Sequence, residues 1–338
     1  MRALCLDFER KTVREARIAD APAPGPGEVR LRLYELGVCA TDRELSQFHF
    51  GEPPPGESLL ALGHEALAQV VETGPGVEQL QSGDWVVPMI RRACVPACDH
   101  CRQGRLDLCQ TDGYTERGIF RSHGYFAPFA TDPAGALIRV PDGLLDIAVL
   151  AEPLSVAEKA VETGFRCHPL RPRTACILGA GPLGLLSAMI LSARGLEVEV
   201  VSLEDEDDRR VKLLRTMGVR YRRGTASGRF DLVLEAAGAP RAAEAALNWL
   251  APCGVLVLIG APDAAIALPG VRTIVDNLSV AGIVNAARCH FELALADLSS
   301  LPRPWLEALI ERRPAHAWRE SLTTPSASPK LVHRLDEL

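Results

Sequence analysis

Four cysteines, Cys94, Cys98, Cys101 and Cys109, follow one another in the spacing Cys-x3-Cys-x2-Cys-x7-Cys. Four thiolates satisfy tetrahedral zinc, and such short spacings let one loop wrap the ion. Residues 91–113 hold few large apolar side chains, so a metal would supply order that packing does not. A closed four-thiolate site has no open coordination position, which predicts a structural role. The alternative is a coincidental set of free thiols. A second candidate centre is Cys39 with His64 and a carboxylate. Three protein ligands and one open position let zinc activate water or a substrate hydroxyl. Taken singly, Gly63-His-Glu65 also reads as a surface charge pair. Of the remaining cysteines, Cys176 and Cys253 lie in apolar, strand-like runs and are expected to be small core residues.

A third chemical group is the glycine pattern Gly179-Ala-Gly181-Pro182-Leu183-Gly184. It follows the apolar run 174–178, opens a helical run at 185–194 and precedes a second strand at 197–203. In that context G-x-G-x-x-G predicts a dinucleotide site, with the glycines admitting pyrophosphate to a helix N-terminus. Glu204, placed at the end of the second strand, can accept from adenosine ribose hydroxyls and repel a 2′-phosphate. NAD is therefore expected over NADP, although Arg209 and Arg210 are near enough to serve a phosphate. Asp205–Asp208 read as the solvated start of a helix.

The elements that position these groups divide the chain. Its 338 residues exceed one ordinary core and predict two domains. Residues 28–33 alternate strictly, and 67–72 and 83–88 read as further strands, giving a β-rich first half. Residues 157–289 read as a doubly wound parallel sheet, with strands also at 230–235, 254–260 and 273–285. Residues 301–310 predict a capped amphipathic helix, 325–329 a loop, and Trp305 and Trp318 packing residues. The tail is expected to return to the first domain. A net charge of −6 argues against nucleic acid as a partner. Charges at positions 2, 7, 9, 10 and 11 leave no signal-peptide core, and no apolar run approaches the roughly 20 residues of a membrane span. A cytoplasmic protein with reduced thiols is expected.

Several segments together resemble the zinc-containing medium-chain dehydrogenase/reductase superfamily, and within it the glucose (aldose) 1-dehydrogenase family. They are Val38-Cys-Ala-Thr-Asp-Arg-Glu44, Leu62-Gly-His-Glu65, Gly83-Asp-Trp-Val-Val-Pro88 with Arg91-Arg92, and Gly113-Tyr-Thr-Glu-Arg-Gly-Ile119 with His123-Gly124. Ala151-Glu-Pro-Leu-Ser-Val-Ala-Glu-Lys159 and Val284-Asn285 with His290-Phe291 complete the set. The resemblance implies an α/β chain: a GroES-like, zinc-binding catalytic domain (1–156 and 290–338) and a Rossmann domain (157–289). It implies that Cys39 and His64 bind catalytic zinc, and that Glu65 and Glu152 supply carboxylates directly or through water. Thr41 would link substrate to the cofactor ribose in a proton relay. Glu116 and Asn285, with Thr41 and Glu152, would meet the substrate, and Asn285 would also border the cofactor. Two zinc ions per chain, NAD or NADP, a sugar or polyol substrate and a homodimer or homotetramer follow from the same likeness.

Two departures stand out. The first gap of the cysteine loop is three residues where two is common, and Val275-Asp-Asn277 stands where relatives often carry a sugar-contacting His. The expected reaction is oxidation of the C1 hydroxyl of a cyclic aldose to its lactone. The alternatives are a polyol, cyclitol or secondary-alcohol dehydrogenase, or a non-catalytic NAD-binding protein on the same scaffold.

Overall fold

The alternation at 28–33 extends into one long strand, Glu28–Val38, which buries Val29, Leu31 and Leu33 on a single face. In the computed structural model, which describes residues 1–260, 264–324 and 328–335, this strand is the hub of a seven-stranded sheet. The order is Leu137–Arg139, Trp85–Pro88, Glu65–Thr73, Glu28–Val38, Lys330–Arg334 and Ile310–Pro314, with Phe129–Pro133 also paired to Glu28–Val38. Lys330–Arg334 runs antiparallel to Glu28–Val38, with Leu331 opposite Val38. The tail thus returns to the first sheet beside Cys39. A three-stranded sheet of Thr12–Arg17, Arg2–Asp7 and Leu59–Ala61 delivers the chain to Gly63 and His64.

The second sheet is parallel throughout. Its order is Arg220–Arg223, Glu197–Ser202, Thr174–Leu178, Phe230–Glu235, Leu250–Leu258 and Ser279–Gly282. The first strand in sequence lies at the centre, so the winding reverses between Thr174–Leu178 and Phe230–Glu235. That reversal opens a crevice at the carboxyl ends of the strands, the ligand position of doubly wound sheets. Ala175, Ile177, Leu232 and Leu234 are buried in the core that this sheet shares with the helices packed on it. The helix Ala151–Cys167 packs against strands of both sheets and connects the two halves.

Several sequence expectations are corrected. Residues 273–285 are not one strand: the helix Gly270–Val275 precedes the short strand Ser279–Gly282. Val271, Ile274 and Val275 have helical spacing, and Asn277, at φ 52°, turns the chain after the helix. The second parallel strand stops at Ser202, leaving Glu204 in the loop beyond it. The first crevice helix begins at Pro182, not at 185. The long helix near the tail is Arg288–Ser300, whereas 301–310 contains only the short Arg303–Glu307 because Ile310 opens a strand. Cys176 is a core residue, but Cys253 is half-buried at φ 65° where its strand bulges. Trp318 is buried and Trp305 half-buried against the apolar cores, as packing residues should be. Of the loop expected at 325–329, residues 325–327 lie outside the described residues.

Candidate active site

Cys39 follows the last residue of the hub strand and immediately precedes the helix Ala40–Ser46; its backbone N–H donates to Asp42 Oδ2 at 2.9 Å. His64 arrives on the adjacent connection, and its Nε2 lies 3.1 Å from Cys39 Sγ. Donor atoms of Cys39, His64 and Glu65 all lie within 4.8 Å of one another. Behind them, Asp42 Oδ1 stands 3.5 Å from His64 Nδ1, both side chains being buried. Neither of these two atoms has a hydrogen-bond partner, and a carboxylate beside Nδ1 is placed to orient the imidazole with Nε2 toward the cluster. Thr41 is half-buried one residue before Asp42.

Glu65 opens its strand opposite Gly37, and a Cβ at Gly37 would meet Glu65 Oε2 at 2.1 Å. Glycine is required there for the carboxylate to lie along the sheet. Both Glu65 oxygens accept from Lys330 Nζ, at 2.6 and 2.5 Å. Glu152, in the first turn of Ala151–Cys167, is buried nearby but lies outside the 4.8 Å group. Burial, reinforced by the Glu65 carboxylate, pushes Glu152 up to about 8. The thiol of Cys39, the imidazole of His64 and the carboxylates of Glu65 and Glu152 form a mixed soft and hard donor set that fits zinc.

In the cysteine loop, Cys94 Sγ lies 3.8 Å from Cys101 Sγ, and Cys98 Sγ lies 3.9 Å from Cys109 Sγ. Tetrahedral bonds of about 2.3 Å place zinc-bound sulfurs about 3.8 Å apart, so the loop fits a four-thiolate ion. Backbone N–H groups reinforce the anionic form. Cys98 N donates to Cys94 Sγ at 3.1 Å, and the amides of Gln110 and Cys101 hold Cys98 down to about 6.

The glycine turn is built for close approach. A Cβ at Gly184 would meet the Gly179 carbonyl oxygen at 2.0 Å, whereas one at Gly181 would meet nothing within 4 Å. Gly184 therefore packs helix on strand, and Gly181 leaves open the space a pyrophosphate would enter. Pro182 occupies the first helical turn, where its missing N–H costs nothing, and Leu183 follows it. Glu204 pairs with Arg210 Nη1 at 2.7 Å, and its buried Oε2 has no hydrogen-bond partner. Arg210 is held further by Asp208 at 2.8 Å.

Glu116, buried in Thr115–Arg117, accepts from Arg91 Nε at 2.8 Å and from Asn285 Nδ2 at 2.5 Å. Segments far apart in sequence thus meet at one carboxylate. Val275 ends its helix, and Asp276 beside it is engaged by Arg272 at 3.1 Å. Two residues near the candidate metal ligands went unassigned on the sequence. Asp42 had a local signal, a side-chain acceptor three positions after the residue preceding a helix. Lys330 had none, since its partner lies 265 positions away.

Comparison with known proteins matches two family models along the chain. Residues 25–142 match the family described as Alcohol dehydrogenase GroES-like domain, and residues 145–324 match Glucose dehydrogenase C-terminus. The chain is 42% identical to glucose 1-dehydrogenase of Thermoproteus tenax over 291 residues, covering 82% of each protein. It is 36% identical to glucose 1-dehydrogenase of Methanocella arvoryzae over 340 aligned positions, covering 93% of each. The solved structure of Haloferax mediterranei glucose dehydrogenase in complex with NADP, Zn and gluconolactone superposes with a TM-score of 0.91 at 29% identity, covering 100% of both chains. Fold and comparisons together define an α/β enzyme of the zinc-containing medium-chain dehydrogenase/reductase superfamily. Within that class, the chain belongs to the glucose 1-dehydrogenase family.

Proposed function

We propose that this enzyme oxidises the C1 hydroxyl of a cyclic, glucose-like aldose to its lactone, with zinc at Cys39 and His64 and hydride transfer to NAD in preference to NADP. The observation that carries this reading is the convergence of Cys39, His64 and Glu65 within 4.8 Å, beside a helix that brings Glu152. Zinc supplies Lewis acidity for the substrate hydroxyl, and the nicotinamide supplies the hydride acceptor. Cys39 and His64 are the principal ligands, and Asp42 holds the His64 ring in place. Glu65, fixed by Lys330, and Glu152 contribute carboxylates to the same centre. Thr41 carries the departing proton toward the cofactor ribose. Glu116 and Asn285 pair with sugar hydroxyls, and such paired groups reject substrates that lack the partner. Asn285, beside Val284 near the crevice, also borders the nicotinamide.

Cys94, Cys98, Cys101 and Cys109 hold the second, structural zinc. The NAD preference is supported by Glu204 Oε2, a buried acceptor suited to a ribose hydroxyl, and by Arg210, which Glu204 and Asp208 already engage. A homo-oligomer is supported by the outer strand Ser279–Gly282, whose flanking Val271, Ile274 and Val275 are 70–79% exposed. Among the described residues no helix is long and apolar enough to cross a membrane. A cytoplasmic site of action agrees with ten cysteines that form no disulfide.

A Cys39→Ala, His64→Ala double variant is expected to lose turnover and keep NAD binding. Undiminished catalysis would overturn the assignment. A steady-state panel of aldoses against sorbitol and inositols separates it from polyol and cyclitol oxidation.

A further inference from the structure

Two buried charges stand between the cysteine loop and the sugar pair. Asp107 lies in the short turn Leu106–Leu108, two residues before Cys109, and its side chain is fully buried. Arg105 grips it through Nε and Nη2, each at 3.0 Å. Lys159 Nζ lies 2.7 Å from the same carboxylate, and its side chain is only 6% exposed. The ammonium also donates to the Val284 carbonyl at 2.8 Å. Arg105 already gives Asp107 two charge-assisted bonds, so neutralising that carboxylate does not require the second reach of Lys159.

That reach has a local consequence. The Val284 carbonyl belongs to the peptide unit leading into Asn285, and Asn285 holds φ 54°. A non-glycine residue keeps this left-handed conformation only where its surroundings enforce it. From there Asn285 Nδ2 reaches Glu116, which Arg91 also holds, and Arg91 Nη1 donates to the Asp107 carbonyl at 3.3 Å. The contacts close a circuit on the residue where they began.

We propose that Lys159 and Asp107 are positioning residues for sugar recognition: Asp107 anchors Lys159, Lys159 pins the Val284 carbonyl, and Asn285 is thereby set against Glu116. The proposal rests on the reading of Asn285 and Glu116 as sugar-binding residues. It ties the cysteine loop to substrate affinity as well as to folding.

The test is steady-state kinetics of the zinc-loaded enzyme with D-glucose at saturating NAD. Lys159→Met should raise the glucose KM about tenfold while kcat falls less than about threefold, the pattern of lost substrate binding. Lys159→Arg, which keeps a charged donor, should recover part of the loss. Because Lys159 acts through Asn285, the Lys159→Met, Asn285→Ala double variant should show the glucose KM of Asn285→Ala alone. Additive effects would overturn the proposal. An Asn285→Ala variant with unchanged glucose KM would overturn the reading of Asn285 and this inference with it. A raised KM in Asn285→Ala beside an unchanged KM in Lys159→Met would overturn this inference alone. If Lys159→Met does not accumulate as folded enzyme, Asp107→Asn replaces it, and an unchanged glucose KM there would equally overturn the proposal.

Discussion

Lys330 Nζ donates to both carboxylate oxygens of Glu65, at 2.6 and 2.5 Å, in a pair that is almost completely buried. The contact joins the last strand of the chain to the residue that follows His64. It brings the tail to the candidate metal site. Removing one partner of a buried ion pair leaves an uncompensated charge, so Lys330→Met should cost roughly 3–5 kcal/mol of stability. Lys330→Met combined with Glu65→Gln should recover part of that loss in urea unfolding. A double-variant loss equal to the sum of the two single-variant losses would show that the pair is not coupled.

Metal content should divide cleanly between the two centres. Wild-type enzyme is expected to carry two zinc ions per chain. Cys98→Ser with Cys109→Ser should lose one ion and lower Tm, because metal binding to such a loop is folding energy. Cys39→Ala with His64→Ala should lose the other ion and turnover, with a smaller change in Tm. Elemental analysis beside thermal unfolding reads both outcomes; one ion per wild-type chain would refute the division.

Glu204 should set cofactor choice. Wild type is expected to show a higher kcat/KM with NAD than with NADP. Glu204→Ala frees Arg210 from its 2.7 Å pair and should move the ratio toward NADP. A shift of about tenfold corresponds to about 1.4 kcal/mol of differential binding. A wild type that prefers NADP would contradict this role for Glu204.

Asp132 should be a stability residue with no direct part in turnover. It is fully buried and accepts from Arg92 at 2.7 Å, Arg117 at 2.7 Å and the Tyr125 hydroxyl at 2.7 Å. Asp132→Asn leaves two guanidinium groups short of a counter-charge, with an expected loss of about 3–5 kcal/mol in chemical denaturation.

Glu158 should give stability a measurable pH slope. Burial, with the Asp297 carboxylate beside it, pushes Glu158 up to about 7 even though Arg194 Nη2 lies 2.5 Å away. An unfolded Glu titrates near about 4.3. Between those values the unfolded chain releases a proton that the folded chain keeps, so stability falls as pH rises and then levels off above about 7. Glu158→Gln should flatten Tm across that window; an unchanged slope would remove Glu158 as its source.

The sequence made the ligand types and the glycine turn readable because each depends on local spacing. Cys94 to Cys109 share one loop, and Gly179 to Gly184 share one turn. Asp42 was half visible, as a helix-start acceptor whose position behind His64 depends on how two connections meet. Lys330 was invisible, because only the antiparallel pairing of Lys330–Arg334 with Glu28–Val38 brings it to Glu65. Residues 273–285 misled because an apolar run suits either a strand or a helix. Arg210 was a candidate for a phosphate, and the fold gives it instead to Glu204 and Asp208.

The central claim is tested most directly by identifying the product formed from D-glucose and NAD. The account predicts gluconolactone and reduced cofactor in equal amounts, lost when a chelator strips the metal and restored by zinc. NAD binding by the zinc-loaded enzyme without lactone formation from any aldose would contradict it.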